Sequence, residues 1–588
     1  MKKIVSIFLA LFLASCGSYQ SAGNSTTAKS GTVSETGSQQ VPAQLIPNDT
    51  YFFPNQWGMH NTGDYAYGYP DNDIDAPEAW SITYPGGNIP EGSKNVVIAV
   101  IDTGIDYNHS DLVGNIWTNL KEQLGDYNDD GCPGVCGADD DGDGLIDEAL
   151  KVPGILAFDD DENGYPDDIK GYDFYNTDND PMDTVGHGTH VAGIVGAHGN
   201  NGEGVTGVMW RVKLMPLKIF DVETIAGKDE VIAASDENIA EAIRYAVDNG
   251  AKVINASWGS LEYYRKVYDA IDYANTNGVL FVASAGNGRE DGLGGIDFVG
   301  DNNDLFPHYP ASFDLPNIIS VAATDQRDQR VPFSNYGPLS VDIAAPGVYI
   351  WSTVPNWMST FPDFGRLETL EGASMAAAHV SGLAGLLIGY YDGVQNTQFA
   401  HYDVRNTILR YVDWLSSLDG WIATNGRINA YKAVSSLLTP TGLTAKANPF
   451  KIPNPSLPSD AIADSPSITL SWADNATSYD RRYKIERRSD GNFVEIANDI
   501  GPDSTTYTDS AGLEPTTSYT YRIRVYNKIA NSSYSEVAVA ETLSDGEGIP
   551  HGGGGCSITA GKDAGRVDLL VMLLPVAAIL TLIKRRKR

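Results

Sequence analysis

The stretch Asn95-Val96-Val97-Ile98-Ala99-Val100-Ile101, ending abruptly at Asp102-Thr103-Gly104, decides the fold. It is a continuous apolar run without polar alternation, which is the pattern of a parallel strand buried on both faces. Similar runs follow: Val212 to Phe220, Lys252 to Trp258, Val279 to Ala283, Ile318 to Ala322 and Val341 to Ala345. Helix-like segments lie between some of them, at Asp236 to Asn249 and Leu261 to Thr276. Strands alternating with helices predict an α/β fold with a doubly wound, mostly parallel sheet. Ligands of such sheets gather beyond the carboxyl ends of the strands. Asp102 stands at one such end, and Asn287, in Ser284-Ala285-Gly286-Asn287, just past another.

Two further stretches carry side chains suited to chemistry. In Gly186-His187-Gly188-Thr189-His190-Val191-Ala192-Gly193, glycines frame His187 at the start of a helix of small residues, leaving its ring free to approach a neighbour. His190, three residues on, falls within the apolar helix and is expected to be structural. In Gly372-Ala373-Ser374-Met375-Ala376-Ala377-Ala378-His379-Val380-Ser381-Gly382, a serine sits among small residues at the mouth of an apolar helix. Unpaired N–H groups there favour developing negative charge. An aspartate, a histidine and a serine in one α/β domain match nucleophilic catalysis, and they occur in the order Asp, His, Ser.

These three stretches, with Gln56-Trp57-Gly58 and Ala76-Pro77-Glu78-Ala79-Trp80, closely resemble the subtilisin-like serine proteases over residues 48 to 437. The expected roles are nucleophile for Ser374, proton carrier for His187 and imidazole orientation for Asp102. The resemblance also implies that the Asn287 amide joins the Ser374 N–H in holding the oxyanion. It further implies that Ser257, Trp258 and Gly259 line the cleft where a protein or peptide substrate binds as an added strand. Two positions depart from the family: Ala373 stands where threonine is usual, and Ala378 where proline is. A rival expectation is therefore a protease fold kept for surface binding or adhesion, its activity impaired by those neighbours. The family also often carries a prodomain, for which residues 17 to 47 are too few.

The stretch between Asp102 and His187 holds an acidic insertion, residues 115–180, with the same spacing twice. Asp139, Asp141, Asp143 and Asp147 form one copy; Asp159, Asp161, Asn163 and Asp167 form the other. Oxygen ligands at alternate positions with a glycine for the sharp turn suit a hard cation, so structural Ca²⁺ is expected. A third calcium site, at Asp111 and Asn201, is implied by the resemblance of Asn201-Gly202-Glu203-Gly204-Val205 to the subtilisin calcium loop.

The formal net charge of −36 speaks against nucleic-acid binding and for cation binding or a solvated exterior. Residues 1–16, Met1-Lys2-Lys3 then Ile4 to Leu13, read as an export signal. Leu13-Ala14-Ser15-Cys16 resembles the bacterial lipobox, implying a lipid on Cys16; an ordinary signal peptide is the alternative. Residues 17–47, rich in Ser, Thr, Gly and Gln, are expected to be a disordered tether. After Leu437, alternating runs around Trp472, Tyr483-Lys484-Ile485 and Tyr519 to Asn527, with the corner from Leu513 to Tyr519, resemble an all-β fibronectin type III sandwich spanning 439–543. It is expected to be a spacer, with adhesion as the alternative. Residues 544–566 form a Gly-rich linker, 567–583 an apolar segment and 584–588 a basic tail. The ending resembles C-terminal sorting tails processed by a dedicated membrane protease; a plain membrane anchor is the alternative. Together the ends predict an exported protein of the bacterial outer membrane or cell surface, held through Cys16 or the C-terminal segment, or released. Export permits a Cys132–Cys136 disulfide, and a free pair stays open.

Overall fold

The structure is a computed structural model. It describes residues 44–544 apart from 65–67, 85–86, 89–91, 121–162, 226–227, 289–298, 359–365, 396–400, 437–439, 449, 451–464, 474–481, 490, 502–503, 527–531 and 533. The apolar run that opens the argument lies in β1 (Gly92–Asp102). Its side chains alternate between two buried layers: Val96, Ile98 and Val100 join one, Ala99 and Ile101 the other. A strand covered on both faces has no reason to alternate with polar residues.

In chain order β2 (Tyr172–Asp173), β3 (Arg211–Lys218), β4 (Val253–Ala256), β5 (Leu280–Ser284), β6 (Ile318–Thr324), β7 (Ile343–Pro346), β8 (Val412–Trp414) and β9 (Gly426–Ile428) complete the main sheet. Its nine strands run β8-β9-β7-β6-β5-β4-β1-β3-β2. All pairs are parallel except β8 with β9. From β1 the chain builds β2 and β3 on one side and then crosses to β4 on the other. The switch point therefore falls between β1 and β4, which opens a crevice at their carboxyl ends.

Helices α1 (His187–Gly196) and α4 (Ala373–Gln395) cover one face, through Val191, Ile194, Val380, Leu383 and Leu387. Helices α2 (Asp236–Asp248) and α3 (Arg265–Thr276) cover the other, through Ile239, Ile243, Val267 and Ile271. Each such side chain, once buried, contributes about 1.5–3 kcal/mol. Ser235 starts α2 by accepting the Asn238 N–H at 3.2 Å. Residues Ala373–Tyr390 are long and apolar enough to cross a bilayer, yet 94% of that window is buried in the core.

Several boundaries differ from expectation. The helix predicted from Leu261 begins at Arg265. The strand predicted to reach Phe220 ends at Lys218, because Phe220–Ile225 turns back to pair with Lys228–Ala233. The tether predicted to run through residue 47 is already ordered at its end. Leu45 N–H donates to the Pro77 carbonyl at 2.9 Å, Gln44 Nε2 donates to Glu78 Oε1 at 2.5 Å, and Pro47 is buried. Leu45 packs on the core, which offsets the entropy of ordering the segment.

The described ends of the acidic insertion are anchored on α2. Tyr165, Tyr172, Phe174 and Tyr245 stack edge to face with centroids 5.0–5.7 Å apart. Asp168 is buried beneath them and accepts from Asn119 Nδ2 at 2.7 Å and from the Tyr245 hydroxyl.

The C-terminal strands form two antiparallel sheets. β10 (Thr441–Asn448), β11 (Ser467–Ala473) and β14 (Thr506–Asp509) make one in that order. β13 (Val494–Ile500), β12 (Arg482–Arg488), β15 (Ser518–Tyr526) and β16 (Ala538–Glu541) make the other. Trp472 and Tyr483 meet in the core between them with centroids 5.1 Å apart. The Tyr519 hydroxyl accepts the Glu514 N–H at 2.9 Å, the tyrosine corner expected of this sandwich.

Candidate active site

Asp102 ends β1 and is 1% exposed. His187 opens α1, and its Nδ1 lies 2.7 Å from Asp102 Oδ1. A carboxylate accepts, so Nδ1 carries the proton and Nε2 is left as the basic nitrogen. The second glycine of the frame explains how helix and strand come this close. A Cβ at Gly188 would stand 2.1 Å from the Gly104 carbonyl oxygen and 3.1 Å from Asp102 Cβ. Burial works against charging the His187 ring, but the facing Asp102 carboxylate and its hydrogen bond, with Asp183 behind, outweigh it and hold the pKa above the usual histidine value.

Ser374 lies in the first turn of α4, in the crevice at the switch point. Its Oγ donates to the Ser257 carbonyl at 3.1 Å, and its own carbonyl accepts the Ser257 hydroxyl at 2.9 Å. Among the described residues no hydrogen bond joins Ser374 to His187. Asn287 lies beyond β5, and its Oδ1 accepts the Ala373 N–H at 2.9 Å. That bond fixes the amide, so Nδ2 faces away from Ala373. A Cβ at Gly372, whose φ is +155°, would sit 3.2 Å from Asn287 Nδ2 and 3.6 Å from Ser374 N. The two expected oxyanion donors therefore border one small space, kept open by a glycine.

The segment Ser257-Trp258-Gly259 follows β4 beside Ser374, and the Trp258 side chain is buried. Its Nε1 donates to the Ile101 carbonyl at 2.8 Å and its ring joins the core. At Gly259 a Cβ would lie 2.2 Å from the His308 ring, so no side chain fits there. His190 Nε2 donates to the Ile350 carbonyl at 3.0 Å, and burial pushes its pKa down to about 3, a structural histidine. Ala373 and Ala378 are both fully buried.

Of the expected calcium ligands, Asp139, Asp141, Asp143, Asp147, Asp159 and Asp161 lie outside the described residues, as do Cys16, Cys132, Cys136, Cys556 and the C-terminal segment. Asn163 is engaged within its loop: Oδ1 accepts the Tyr165 N–H at 2.7 Å and Nδ2 donates to Asp168 at 3.0 Å. Asp167 sits in the following turn with φ +53°. Asp111 and Asn201 do come together, with Asn201 Nδ2 donating to Asp111 Oδ1 at 2.8 Å. Asp49, absent from the sequence reading, joins them. Its Oδ2 accepts the Asn200 N–H at 2.6 Å, while Oδ1 is buried without a hydrogen bond. Burial pushes Asp111 up to about 7 and Asp49 up to about 6, and the Asp49 charge adds to the rise at Asp111. Among the described residues no group of three or more His, Cys, Asp or Glu converges as a metal site.

A family model described as the subtilase family matches residues 93–435. The chain belongs to the subtilase family. Over 394 residues, 67% of this subtilase and 70% of the relative, it is 33% identical to "Thermophilic serine proteinase" of Bacillus sp. (strain AK1). Over 388 residues, 66% of this subtilase and 99% of the relative, it is 32% identical to "Thermitase" of Thermoactinomyces vulgaris. A solved structure of proteases from Pseudoalteromonas arctica PAMC 21717 aligns with 66% of this subtilase and 99% of that chain, at 25% identity and TM-score 0.43. A fibronectin type III model matches residues 455–541. By its family this subtilase is a serine-type endopeptidase.

Proposed function

We propose that this subtilase hydrolyses peptide bonds through Asp102, His187 and Ser374. The observation that carries the reading is the buried 2.7 Å contact of His187 Nδ1 with Asp102 beside the first turn of α4. In the proposed course a peptide lies along the backbone of residues 257–259. Ser374 Oγ leaves the Ser257 carbonyl and gives its proton to His187 Nε2 as it attacks the peptide carbonyl. The oxyanion is met by Asn287 Nδ2 and the Ser374 N–H. His187 then passes the proton to the leaving amine, and water repeats the sequence on the acyl-enzyme. The usual threonine and proline are replaced by Ala373 and Ala378, yet the Ala373 N–H still orients Asn287. That bond speaks for catalysis over the binding-protein rival.

Structural calcium belongs to the same proposal. Asp49, Asp111 and Asn201 fit a hard cation, since the two carboxylates are buried close enough for the Asp49 charge to raise Asp111, and Asp49 Oδ1 has no donor. A bound Ca²⁺ would neutralise that repulsion. Export, lipid attachment at Cys16 and processing at the C-terminal tail are proposed on the sequence motifs, with the fibronectin domain as spacer.

The test is hydrolysis of an unstructured protein by the full chain with Ca²⁺, read as new α-amino ends. Loss of those ends in His187→Ala, with unchanged melting, supports the proposal. Undiminished hydrolysis by His187→Ala overturns it.

A further inference from the structure

Asp183 is a fully buried carboxylate that no step above uses, four residues before His187. It accepts five hydrogen bonds. Oδ1 takes the Thr103 hydroxyl at 2.8 Å, the Val185 N–H at 2.9 Å and the Gly186 N–H at 2.7 Å. Oδ2 takes the Thr189 N–H at 2.9 Å and the Thr189 hydroxyl at 2.6 Å. The Thr103 oxygen in turn accepts the Gly188 N–H at 2.8 Å. The second and third residues of α1 thus find partners for their orphan N–H groups in a strand-end hydroxyl and a loop carboxylate. Thr103 is the neighbour of Asp102, and its own N–H donates to Asp102 Oδ1 at 2.8 Å. One chain of bonds therefore runs from Asp102 through Thr103 and Asp183 to the residues on either side of His187.

We propose that Asp183 is a positioning residue for catalysis, whose carboxylate clamps the strand end bearing Asp102 to the helix start bearing His187. Three of the five donors are N–H groups that can only donate, and both hydroxyls are turned to donate as well, so the site is built for an ionised carboxylate even though burial pushes the Asp183 pKa up. An isosteric amide cannot replace it. Whichever oxygen became NH₂ would face at least one N–H that can only donate, and the loop from 183 to 186 would have to shift, carrying His187 with it. The inference rests on the proposed catalytic role of His187. The titratable groups about that ring among the described residues are Asp102 at the strand end, Asp183 in the preceding loop and His190 one turn along α1. Asp183 also adds negative charge that favours the imidazolium.

The experiment measures kcat, KM and the pH profile of peptide hydrolysis by the full chain with Ca²⁺, wild type beside Asp183→Asn, Thr103→Val and Thr103→Ser. Active sites are counted by fluorophosphonate titration so that rates are per competent molecule. Wild-type turnover abolished in Ser374→Ala establishes the underlying catalytic reading separately. Asp183→Asn is expected to lower kcat per site about 10- to 100-fold with KM within about 3-fold, as for a misplacement of order 1 Å. Its acid limb should move to lower pH, because a negative charge near His187 is gone. Thr103→Val should do likewise without the pH shift, Thr103→Ser should restore activity, and the two lesions should not add. If Asp183→Asn does not fold, the Thr103 pair carries the test alone. Unchanged kcat per site and acid limb in Asp183→Asn, or Thr103→Val equal to wild type, overturns the proposal while leaving the catalytic reading intact.

Discussion

Asn287 makes one bond in the fold and a second in the proposed mechanism, and the two can be separated. Its Oδ1 accepts the Ala373 N–H, and its Nδ2 borders the space shared with Ser374 N beside Gly372. Asn287→Ala removes both, whereas Asn287→Asp keeps the acceptor for Ala373 and replaces the donor with an oxygen. If Nδ2 donates to a charge present only in the transition state, its loss costs about 2.7–4 kcal/mol, or about 10²- to 10³-fold in kcat. Asn287→Asp should lose at least as much, since an anionic oxygen would then face an anionic intermediate. Melting should separate the variants the other way, with Asn287→Asp near wild type and Asn287→Ala lower by about 1 kcal/mol for the lost bond to Ala373. Steady-state hydrolysis of a peptide ester and a peptide amide, with melting by circular dichroism, gives both numbers. KM should hold in both variants. Asn287→Asp retaining a third or more of wild-type kcat would refute the reasoning.

The Asp49 and Asp111 carboxylates are pushed up to about 6 and about 7, so without cation the fold favours their protonated forms. The cost is therefore full above pH 7 and fades as pH falls through 7 toward 4. In chelator, melting temperature should rise between pH 8 and 6, and Ca²⁺ should abolish that slope; equal slopes with and without Ca²⁺ would dismiss the site. Because His187 titrates above the usual histidine value and must be neutral to act as base, kcat/KM should rise with pH through a midpoint above 6.5. A midpoint below 6.5 would contradict the Asp102 pairing. From Gly552-Gly553-Gly554-Gly555-Cys556, the mature cell-derived protein should lack residues beyond about Cys556, and an intact mass that includes Arg588 would defeat that reading.

What the sequence showed and what it hid divide by the range of the interaction. Asp102, His187, Ser374 and Asn287 stood out in the sequence because each sits in a short stretch of small or Gly-framed residues, and the fold pairs His187 with Asp102 and Asn287 with the Ala373 N–H beside Ser374. Gly188 allows the strand contact, and Gly372 keeps open the space beside Ser374. The doubly wound sheet was legible because burial on both faces suppresses alternation in β1. Asp49 was not, since nothing at residue 49 announces a partner at residue 111. Asp183, three residues past the acidic insertion, drew no reading from the sequence, and only the folded loop shows five donors turned on it. The direction of the Trp258 side chain was not legible either, because resemblance of a backbone segment carries none, and only the fold shows its Nε1 turned to the Ile101 carbonyl. The ordering of residues 44–47, Gln44-Leu45-Ile46-Pro47, was hidden by the polar composition of the longer stretch before them, four residues being too few to signal packing.

The central claim is that Ser374 is the nucleophile, and covalent capture tests it most directly. The full chain with Ca²⁺ is treated with a fluorophosphonate, digested, and mapped by mass while hydrolysis is followed in parallel. The account predicts a single adduct on Ser374, its yield matching the loss of peptide hydrolysis. It also predicts that Ser374→Ala, nearly isosteric, melts as wild type, takes no label and turns over several orders of magnitude more slowly. An adduct on another residue, or hydrolysis persisting in Ser374→Ala, would contradict it.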